Sequence, residues 1–380
     1  MSDLTLILLA AGNSTRFGTP VKKQWLRIGH KPLWYFVTNE FEKKKLFSKI
    51  IITAHADELE YMRTFSQHAI IEGGKTRQES LKNALAHVNT SYVMVSDVAR
   101  ACPPDELIQR LIDARDSADC VVPVLSISDT LSFEGNNIDR EKLKRIQTPQ
   151  LSKTVVLKDA LCTQNEFTDE SSAVHALGFT RAEVEGDEDA HKLTKVSDMK
   201  KIPCLKPPST DTLVGNGFDV HAFEEGKKMF LGGVEIDSPF GFKAHSDGDV
   251  AIHSLIDALL GASGMGDIGT LFPDSDDSYK DIDSKLLLKE CVKRLHHCGF
   301  VIINVDITII AETPRLSGYK AQIRSALAEI LCIETFLCNV KATTTEKLGF
   351  TGRKEGVAVA SSASLKYLDW TTNENINYRK

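Results

Sequence analysis

A loop near the N-terminus carries the residue types that phosphate chemistry needs. It runs from Gly12 to Gly18, contains serine and threonine, and directly follows an apolar run. Backbone N–H groups in such a loop can donate to triphosphate oxygens, and Arg16 and Lys23 add two positive charges. Cations that neutralise phosphate charge allow a second phosphate to attack. The loop therefore predicts a nucleoside triphosphate site, with an ordinary strand-to-helix turn as the alternative.

A second candidate site begins with Asp219 and His221, which are separated by one residue. On an extended segment, residues two apart point to the same face, so both side chains can bind one metal ion. His253 is a candidate third ligand at the start of a predicted helix. Three nitrogen and oxygen ligands with one open position are typical of catalytic zinc, which can polarise a phosphoryl oxygen. The alternative is that these residues share only a chance spacing.

Further polar stretches add to each site. An aspartate, Asp97, ends an apolar run, where it can be a metal or substrate ligand or simply a helix N-cap. Within residues 341–353, three consecutive threonines, Thr343 to Thr345, precede Glu346 and are flanked by basic residues. Threonine hydroxyls can donate to phosphates and Glu346 can hold Mg²⁺ or Mn²⁺. A threonine-rich strand end is the alternative for this stretch.

Two common nucleotide-binding motifs are excluded by spacing. Gly74-Lys75-Thr76 matches the end of a Walker loop, but Ala69 stands where that motif needs its first glycine. The dinucleotide pattern G-x-G-x-x-G does not occur in the loop that contains Gly12 and Gly18.

The first half of the chain alternates strand and helix patterns. Strands are predicted at residues 5–10, 49–53, 92–96 and 119–124, and helices at 33–46, 57–67, 76–88 and 104–115. This alternation predicts an α/β fold, a doubly wound and mainly parallel sheet with helices on both faces. Ligands bind such sheets beyond the carboxyl ends of the strands.

A proline-containing linker is predicted at about residues 200–210, which gives domains at 1–209 and 211–380. The second domain is predicted to be α+β, with a sheet covered by helices. Helices are expected at residues 249–261, 284–298 and 317–331, and strands at 301–309, 339–343 and 357–365.

Composition narrows the function classes. The 380 residues carry a formal net charge of −6, which argues against a general nucleic-acid binder. The eight cysteines contain no C-x-x-C pair, so neither a disulfide framework nor a cysteine zinc site is expected. No signal peptide or membrane-length apolar span is found in the sequence. A cytoplasmic enzyme without membrane or nucleic-acid partners is therefore expected.

The N-terminal motifs, in order, resemble 2-C-methyl-D-erythritol 4-phosphate cytidylyltransferases over about two hundred residues. The resemblance implies transfer of CMP from CTP to the sugar phosphate, with Mg²⁺ and release of pyrophosphate. It implies catalytic roles for Arg16 and Lys23. The substrate-binding residues that it implies are Gly12, Gly74, Arg77, Ser80, Asp97, Arg100, Thr130, Arg140, Asp189 and Lys192. The sequence departs from the family pattern at Lys22, usually proline, and at Trp25, usually tyrosine. It also has Ser96 and Ala101 in place of the usual histidine and proline.

The C-terminal motifs resemble 2-C-methyl-D-erythritol 2,4-cyclodiphosphate synthases over nearly all of residues 214–368. The resemblance implies that a 2-phosphate attacks the β-phosphorus of a CDP group, so that CMP leaves and a cyclic diphosphate forms. The implied metal ligands are Asp219, His221 and His253 for Zn²⁺, and Glu346 for a second divalent ion, Mg²⁺ or Mn²⁺. Thr344 is implied as catalytic. The implied substrate-binding residues are His245, Ser246, Asp267, Asp274, Ala311, Pro314, Arg315, Leu316, Thr343, Phe350 and Arg353.

Both resemblances together predict a bifunctional enzyme of isoprenoid precursor synthesis. Its two reactions are not consecutive, because a separate kinase must act between them, so no obligatory channelling is expected. The families imply a homo-oligomer with metal sites at subunit boundaries, and a hexamer would combine a dimeric and a trimeric symmetry. Three alternatives stay open: a nucleotidyltransferase of other specificity, a metal phosphohydrolase, and a non-catalytic metal-stabilised oligomerisation module.

Overall fold

The computed structural model describes residues 3–163, 165–244, 246–273 and 282–372, with only the backbone described at Arg16. The chain forms two compact units, unit 1 from Met1 to Pro207 and unit 2 from Pro208 to Lys380. In the described ranges, no helix is long and apolar enough to span a membrane.

Unit 1 is built around one large sheet. The strands of this unit are β1 (Leu4–Leu9), β2 (Arg27–Ile28), β3 (Lys31–Pro32), β4 (Lys49–Ala54), β5 (Ala69–Glu72), β6 (Tyr92–Asp97), β7 (Cys120–Leu125), β8 (Leu131–Phe133), β9 (Asn136–Ile138), β10 (Arg145–Ile146), β11 (Gln150–Lys153) and β12 (Arg181–Glu185). The order in the sheet is β10-β7-β11-β6-β1-β4-β5, with β12 beside β7. Strands β6, β1, β4 and β5 run parallel, while β11 is antiparallel to both of its neighbours.

Helices cover both faces of this sheet. They are α1 (Leu33–Lys43), α2 (Leu59–Arg63), α3 (Arg77–Leu85), α4 (Asp105–Asp113), α5 (Thr154–Ala160) and α6 (Glu170–Ala176). Every residue of β1 is buried, and successive strand residues point to opposite faces, so neither face is open to solvent. The predicted doubly wound α/β class is confirmed for this unit.

The expected linker region packs on unit 1. Ile202 and Leu205 are buried, and the amide of Gly29 donates to the carbonyl of Pro207 at 3.0 Å. Nearby, Cys102 and Cys204 form a disulfide with Cα atoms 6.4 Å apart. The expectation excluded a framework of several disulfides, and it did not anticipate this single pair. Because the two cysteines are 102 residues apart in sequence, their spacing carries no local signal.

Unit 2 is a mixed sheet with helices packed on one face. Its strands are β13 (Leu213–Glu225), β14 (Met229–Leu231), β15 (Val234–Ile236), β16 (Phe240–Phe242), β17 (Phe300–Ile310), β18 (Cys338–Thr343) and β19 (Gly356–Tyr367). Its helices are α7 (Val250–Ser263), α8 (Ile268–Leu271), α9 (Ser284–His297), α10 (Lys320–Leu331) and α11 (Gly349–Gly352). The main sheet has the order β16-β13-β19-β17-β18. The predicted α+β class is confirmed.

Two glycines of β13 bring helix α7 unusually close to the sheet. A Cβ at Gly217 would lie 1.9 Å from the carbonyl oxygen of Ser254, and a Cβ at Gly215 would lie 2.2 Å from that of Ala258. Real side chains do not approach so closely, so only glycine fits at these two positions. The face of β13 that carries the glycines continues to Asp219 and His221, because alternate residues share a face.

Candidate active sites

A cavity of about 780 Å³ opens at the carboxyl ends of the parallel strands in unit 1. Of the predicted residues, those that line it are Gly12, Lys23, Gly74, Arg77, Ser80, Asp97 and Lys192. Its position beyond the strand ends is where open α/β sheets bind ligands. Its volume lies within the range of small-molecule sites.

Two loops approach each other at the floor of this cavity. A Cβ at Gly73 would lie 2.4 Å from the Cβ of Ala11, so glycine lets the second loop touch the first. Gly74 N donates to Ser80 Oγ at 3.0 Å, which ties the loop to helix α3. Thr76 caps that helix by accepting from the amide of Glu79 at 3.1 Å. The arrangement places small residues and backbone amides around a space with room for a nucleotide.

Asp97 ends strand β6 within a buried charge network at the cavity wall. Arg77 Nε donates to Asp97 Oδ1 at 3.1 Å, and Lys192 Nζ donates to Asp97 Oδ2 at 2.5 Å. The other end of the Arg77 guanidinium donates to Glu170 at 2.6 Å. Burial raises the pKa of Asp97, but the charges of Arg77 and Lys192 outweigh it and hold that pKa well below its usual range. Asp97 is therefore an ionised carboxylate at neutral pH.

Three predicted metal ligands meet in unit 2. Asp219 Oδ2 lies 3.3 Å from His221 Nε2 and 3.4 Å from His253 Nδ1. One ligand atom from each of these residues lies within 4.8 Å of the other two. Burial raises the pKa of Asp219, but the hydrogen bond from His253 and the charge of His221 outweigh it and lower that pKa. An ionised oxygen and two imidazole nitrogens thus converge on one point.

The far nitrogen of each histidine is also engaged. His221 Nδ1 lies 2.9 Å from the carbonyl oxygen of Gly248. His253 Nε2 lies 3.0 Å from Ser284 Oγ, and that hydroxyl donates to Asp247 Oδ1 at 2.5 Å. Hydrogen bonds at the outer nitrogens aim the inner nitrogens at a shared point, as in known zinc sites. The donor set fits Zn²⁺, with three ligands and room for a fourth.

Helix α7 presents His253 because its first turn is anchored. Asp249 caps the helix by accepting from the amide of Ile252 at 3.0 Å. The same carboxylate accepts from the amides of Gly232 at 2.8 Å and Gly233 at 2.6 Å. Burial raises the pKa of Asp249, against the effect of these three amides. The cap ties the β14–β15 turn to the helix and fixes the direction in which His253 points.

Each unit matches a different protein-family model, and the whole chain matches known bifunctional proteins. A family model described as 2-C-methyl-D-erythritol 4-phosphate cytidylyltransferase matches residues 4–203, and a YgbB family model matches residues 212–366. The bifunctional enzyme IspD/IspF of Sulfurimonas denitrificans is 57% identical over 98% of this chain and 96% of its own length. That of Aliarcobacter butzleri is 54% identical over 97% of this chain and 99% of its own length. The solved structure of the bifunctional IspDF from Campylobacter jejuni is 50% identical, with a TM-score of 0.88, over 98% of this chain and 100% of that chain.

The chain belongs to the bifunctional IspD/IspF family. Unit 1 is its IspD unit, a cytidylyltransferase, and unit 2 is its IspF unit, a cyclodiphosphate synthase. The predicted bifunctional enzyme of the methylerythritol phosphate pathway is confirmed at this level.

The remaining predicted residues of the IspD unit lie outside the cavity lining, as far as the described side chains show. Arg100 is buried and donates to the carbonyl of Ala190 at 2.5 Å, so it ties the turn after β6 to the segment before Lys192. Arg140 is exposed and donates to the carbonyl of Ser128 at 2.5 Å. Thr130 and Asp189 are exposed. The side chain of Arg16 lies outside the described part of the structure.

In the IspF unit, two loops that carry predicted residues adjoin. Ala311 N donates to the carbonyl of Thr343 at 3.0 Å, and Lys347 N donates to Glu312 Oε1 at 2.8 Å. The other residues predicted here differ in exposure: Leu316 is buried, Pro314 is half-buried, and Arg315, Phe350 and Arg353 are exposed. The guanidinium of Arg353 donates to the carboxylate of Glu355. Thr344 Oγ1 donates to Glu346 Oε1 at 3.2 Å, and both residues are exposed.

The predicted second-metal ligand does not join the first three. Among the described residues, Glu346 is not part of the cluster formed by Asp219, His221 and His253. Ser246 is next to that cluster, with Oγ 3.3 Å from His253 Nε2. Asp267 caps the short helix α8 by accepting from the amide of Thr270 at 2.7 Å. His245 and Asp274 lie outside the described residues.

Sequence reasoning did not assign three residues that the geometry connects to these sites. Glu58 contacts the segment around Lys23, Glu170 holds Arg77, and Ser284 orients His253. Ser284 follows the N-cap Asp283 at the start of α9, so it carried a helix-start signal but no functional one. Glu58 lies in the helix predicted at residues 57–67, where exposed carboxylates are common, and Glu170 lies in a stretch for which no element was predicted.

Proposed function

We propose that the IspD cavity binds the triphosphate of CTP along the Gly12–Gly18 loop, with Lys23 beside it, and receives the sugar phosphate next to Asp97. The observation that supports this proposal is that seven of the predicted residues line one cavity. Amides of the loop and the cation of Lys23 would stabilise charge that develops when the phosphate of methylerythritol attacks the α-phosphorus. Pyrophosphate then leaves, and no group of the protein needs to take a proton.

Asp97 is well suited to hold a divalent ion or the sugar. Its carboxylate is kept ionised by Arg77 and Lys192, and carboxylate oxygens are preferred ligands of Mg²⁺. Mg²⁺, when bound, would neutralise phosphate charge. Arg77 is held from its other side by the buried Glu170, so its part in the proposal is to position Asp97. Lys192 is paired with Asp97 and lines the same wall of the cavity, so its ammonium group is placed to contact the sugar phosphate as well.

For the IspF unit, we propose that Asp219, His221 and His253 hold Zn²⁺, and that Glu346 holds Mg²⁺ or Mn²⁺. Bound zinc would act as a Lewis acid toward a phosphoryl oxygen. The protein's own work is to fold the substrate so that its 2-phosphate meets the β-phosphorus of the CDP group. The adjoining loops of Ala311 and Thr343 are proposed to hold the cytidine diphosphate. Their adjacency supports this proposal.

A homo-oligomer is proposed because one sheet face of the IspF unit exposes apolar side chains. On β13, Val214 and Phe218 are each 63% exposed and Val220 is 44% exposed. Contiguous exposed apolar side chains are typical of interaction surfaces. A neighbouring subunit would supply the Glu346 loop, because Glu346 is not part of the zinc-ligand cluster within the described residues of one chain. A hexamer is the proposed assembly, and light scattering that gives the monomer mass would contradict it. A cytoplasmic location is proposed because CTP is a cytoplasmic nucleotide.

One experiment separates the two half-reactions in the full chain. Lys23→Ala should abolish pyrophosphate release from CTP and leave formation of the cyclic diphosphate unchanged. His253→Ala should do the reverse, so each variant is the folding control for the other. Competition among CTP, UTP and GTP tests the base specificity. Free phosphate in place of the cyclic product would support a phosphohydrolase, and loss of both reactions in either variant would contradict independent sites.

A further inference from the structure

Glu58 is a buried carboxylate on which the neighbours of Lys23 converge. Its Oε1 accepts from Lys22 Nζ at 2.5 Å. Its Oε2 accepts from Trp25 Nε1 at 2.8 Å and from Gln24 Nε2 at 3.3 Å. Glu58 is 4% exposed and Lys22 is 7% exposed. A buried charge is costly unless it is paired and hydrogen-bonded, so these groups fix one another's positions.

The same network reaches the glycine loop. Gln24 Nε2 donates to the carbonyl of Gly12 at 2.9 Å, and Ser14 Oγ donates to Gln24 Oε1 at 3.1 Å. The amide of Lys23 donates to Ser14 Oγ at 3.0 Å. Gly12, Ser14 and Lys23 all line the cavity. A chain of hydrogen bonds therefore runs from Glu58 through Gln24 to the backbone that is proposed to hold the triphosphate.

Aromatic packing fixes Glu58 from the other side. Trp25 is fully buried and stacks on Tyr61, with ring centroids 5.1 Å apart and planes 16° apart. Tyr61 lies on helix α2, which begins directly after Glu58. Lys22 and Trp25 are two positions at which this sequence departs from the family pattern of proline and tyrosine. The side chains at both of these positions donate to the carboxylate of Glu58, so the two differences from the family pattern belong to one hydrogen-bond network.

We propose that Glu58 is a positioning residue for CMP transfer, which sets the Lys22–Trp25 segment so that Lys23 and the glycine loop meet the triphosphate. Glu58 does not line the cavity among the residues described there, so it acts through Gln24 and the backbone of Lys23. The inference deepens the proposed triphosphate site and rests on it. Its consequence is a defect in the use of CTP and not in the use of the sugar phosphate.

The first test compares Glu58→Gln with Asp119→Asn in the full chain. Asp119 is a matched control, because its carboxylate also accepts from a lysine, Lys153, and from a hydroxyl and an amide, both of Thr180. None of these residues lines the cavity. Glu58→Gln should lower kcat/KM for CTP about 10- to 100-fold, as small misplacements of catalytic groups do. KM for methylerythritol phosphate and the rate of cyclisation should stay within about twofold. Asp119→Asn should leave all three unchanged.

A second variant covers the case in which Glu58→Gln leaves Lys22 buried without an anion and fails to fold. Replacing both partners by apolar residues of similar size, Lys22→Met with Glu58→Leu, is commonly tolerated by the fold. The double variant should show a cooperative unfolding transition yet still use CTP poorly, because Gln24 and Trp25 have lost their acceptor. Wild-type kinetics with CTP in this folded variant would show that the ion pair is only structural and would overturn the inference.

Lys23→Ala is measured in the same assay, so that two kinds of failure can be told apart. If Lys23→Ala uses CTP as well as the wild type does, the proposed triphosphate site is wrong. If Lys23→Ala is defective while Glu58→Gln keeps kcat/KM for CTP within twofold of the wild type, only the positioning role of Glu58 is wrong. An equal rise of KM for both substrates in Glu58→Gln would also overturn that role.

Discussion

Replacing Gly217 by alanine should weaken the zinc site without touching a ligand. The added Cβ would lie 1.9 Å from the carbonyl oxygen of Ser254 and 2.8 Å from the amide nitrogen of Ala258. Both are backbone atoms of helix α7, so no side chain can turn aside. The helix must retreat from β13 by about 1 Å before the contact is tolerable, and overpacking of this kind costs about 1–3 kcal/mol of unfolding free energy.

This retreat moves one zinc ligand away from the other two. His253 is on α7, one residue before Ser254, while Asp219 and His221 are on β13. His253 Nδ1 and Asp219 Oδ2 are now 3.4 Å apart. A shift of this size at a ligand should weaken zinc binding about 10- to 100-fold, similar to the loss of an outer-shell partner. Competition with a chromogenic chelator measures the affinity, and thermal unfolding measures the stability.

Gly261→Ala is the matched control on the same helix. Outside its own helix, its added Cβ would meet no atom closer than the carbonyl oxygen of Asn216, at 3.9 Å. Alanine is also a better helix former than glycine by about 1 kcal/mol. This variant should keep the wild-type zinc affinity and unfold at an equal or higher temperature. Wild-type zinc affinity in Gly217→Ala, or an equal loss of affinity in both variants, would show that close packing at Gly217 does not hold His253 in place.

Two further predictions concern stability. Arg77→Met should lower the unfolding free energy of the IspD unit by about 3 kcal/mol. The reason is that the fully buried Glu170 and the nearby Asp97 lose their guanidinium partner. A urea titration that shows a loss of less than about 1 kcal/mol would contradict this prediction. In the IspF unit, burial lowers the pKa of His296 to about 4 from 6.5, aided by the charge of His297. As the pH falls, the unfolded chain therefore protonates His296 before the folded chain does. The unfolding free energy is at its full value above pH 6.5 and decreases by about 3 kcal/mol in all as the pH falls toward 4. His296→Gln should flatten that dependence in denaturant titrations at several pH values, and an unchanged slope would count against it.

The sequence predicted the parts of the fold whose signals are local. The apolar runs at β1, β4, β6 and β7 are continuous and short, as buried strands are, and the structure contains all four. Strand β11 was not predicted. Its residues, Gln150–Lys153, are mostly polar, and it enters the sheet antiparallel between β6 and β7. Such a pairing depends on partners distant in sequence, which no window of residues reveals.

In the candidate sites, too, the residues with a local sequence signal were predicted and those that depend on distant partners were not. The spacing of Asp219 and His221 indicated a shared face, and the structure places both beside His253. Glu58 gave no functional signal, because the sequence predicted a helix at 57–67, and a glutamate on such a helix is expected to be exposed to solvent. The structure instead has a 3-10 turn at Ala56–Glu58 and a shorter α2. The turn directs Glu58 inward to Lys22 and Trp25, and only the tertiary structure shows that these three residues meet.

Zinc analysis of the purified full chain, wild type beside His221→Ala, shows whether the IspF unit holds a metal ion at these three ligands. We expect about one zinc per chain in the wild type and near-complete loss in the variant, which has two ligands left. CMP transfer by the IspD unit should be unchanged in both proteins. A wild-type chain without zinc, or a His221→Ala chain that retains it in full, would contradict the assignment of Asp219, His221 and His253 as the metal site.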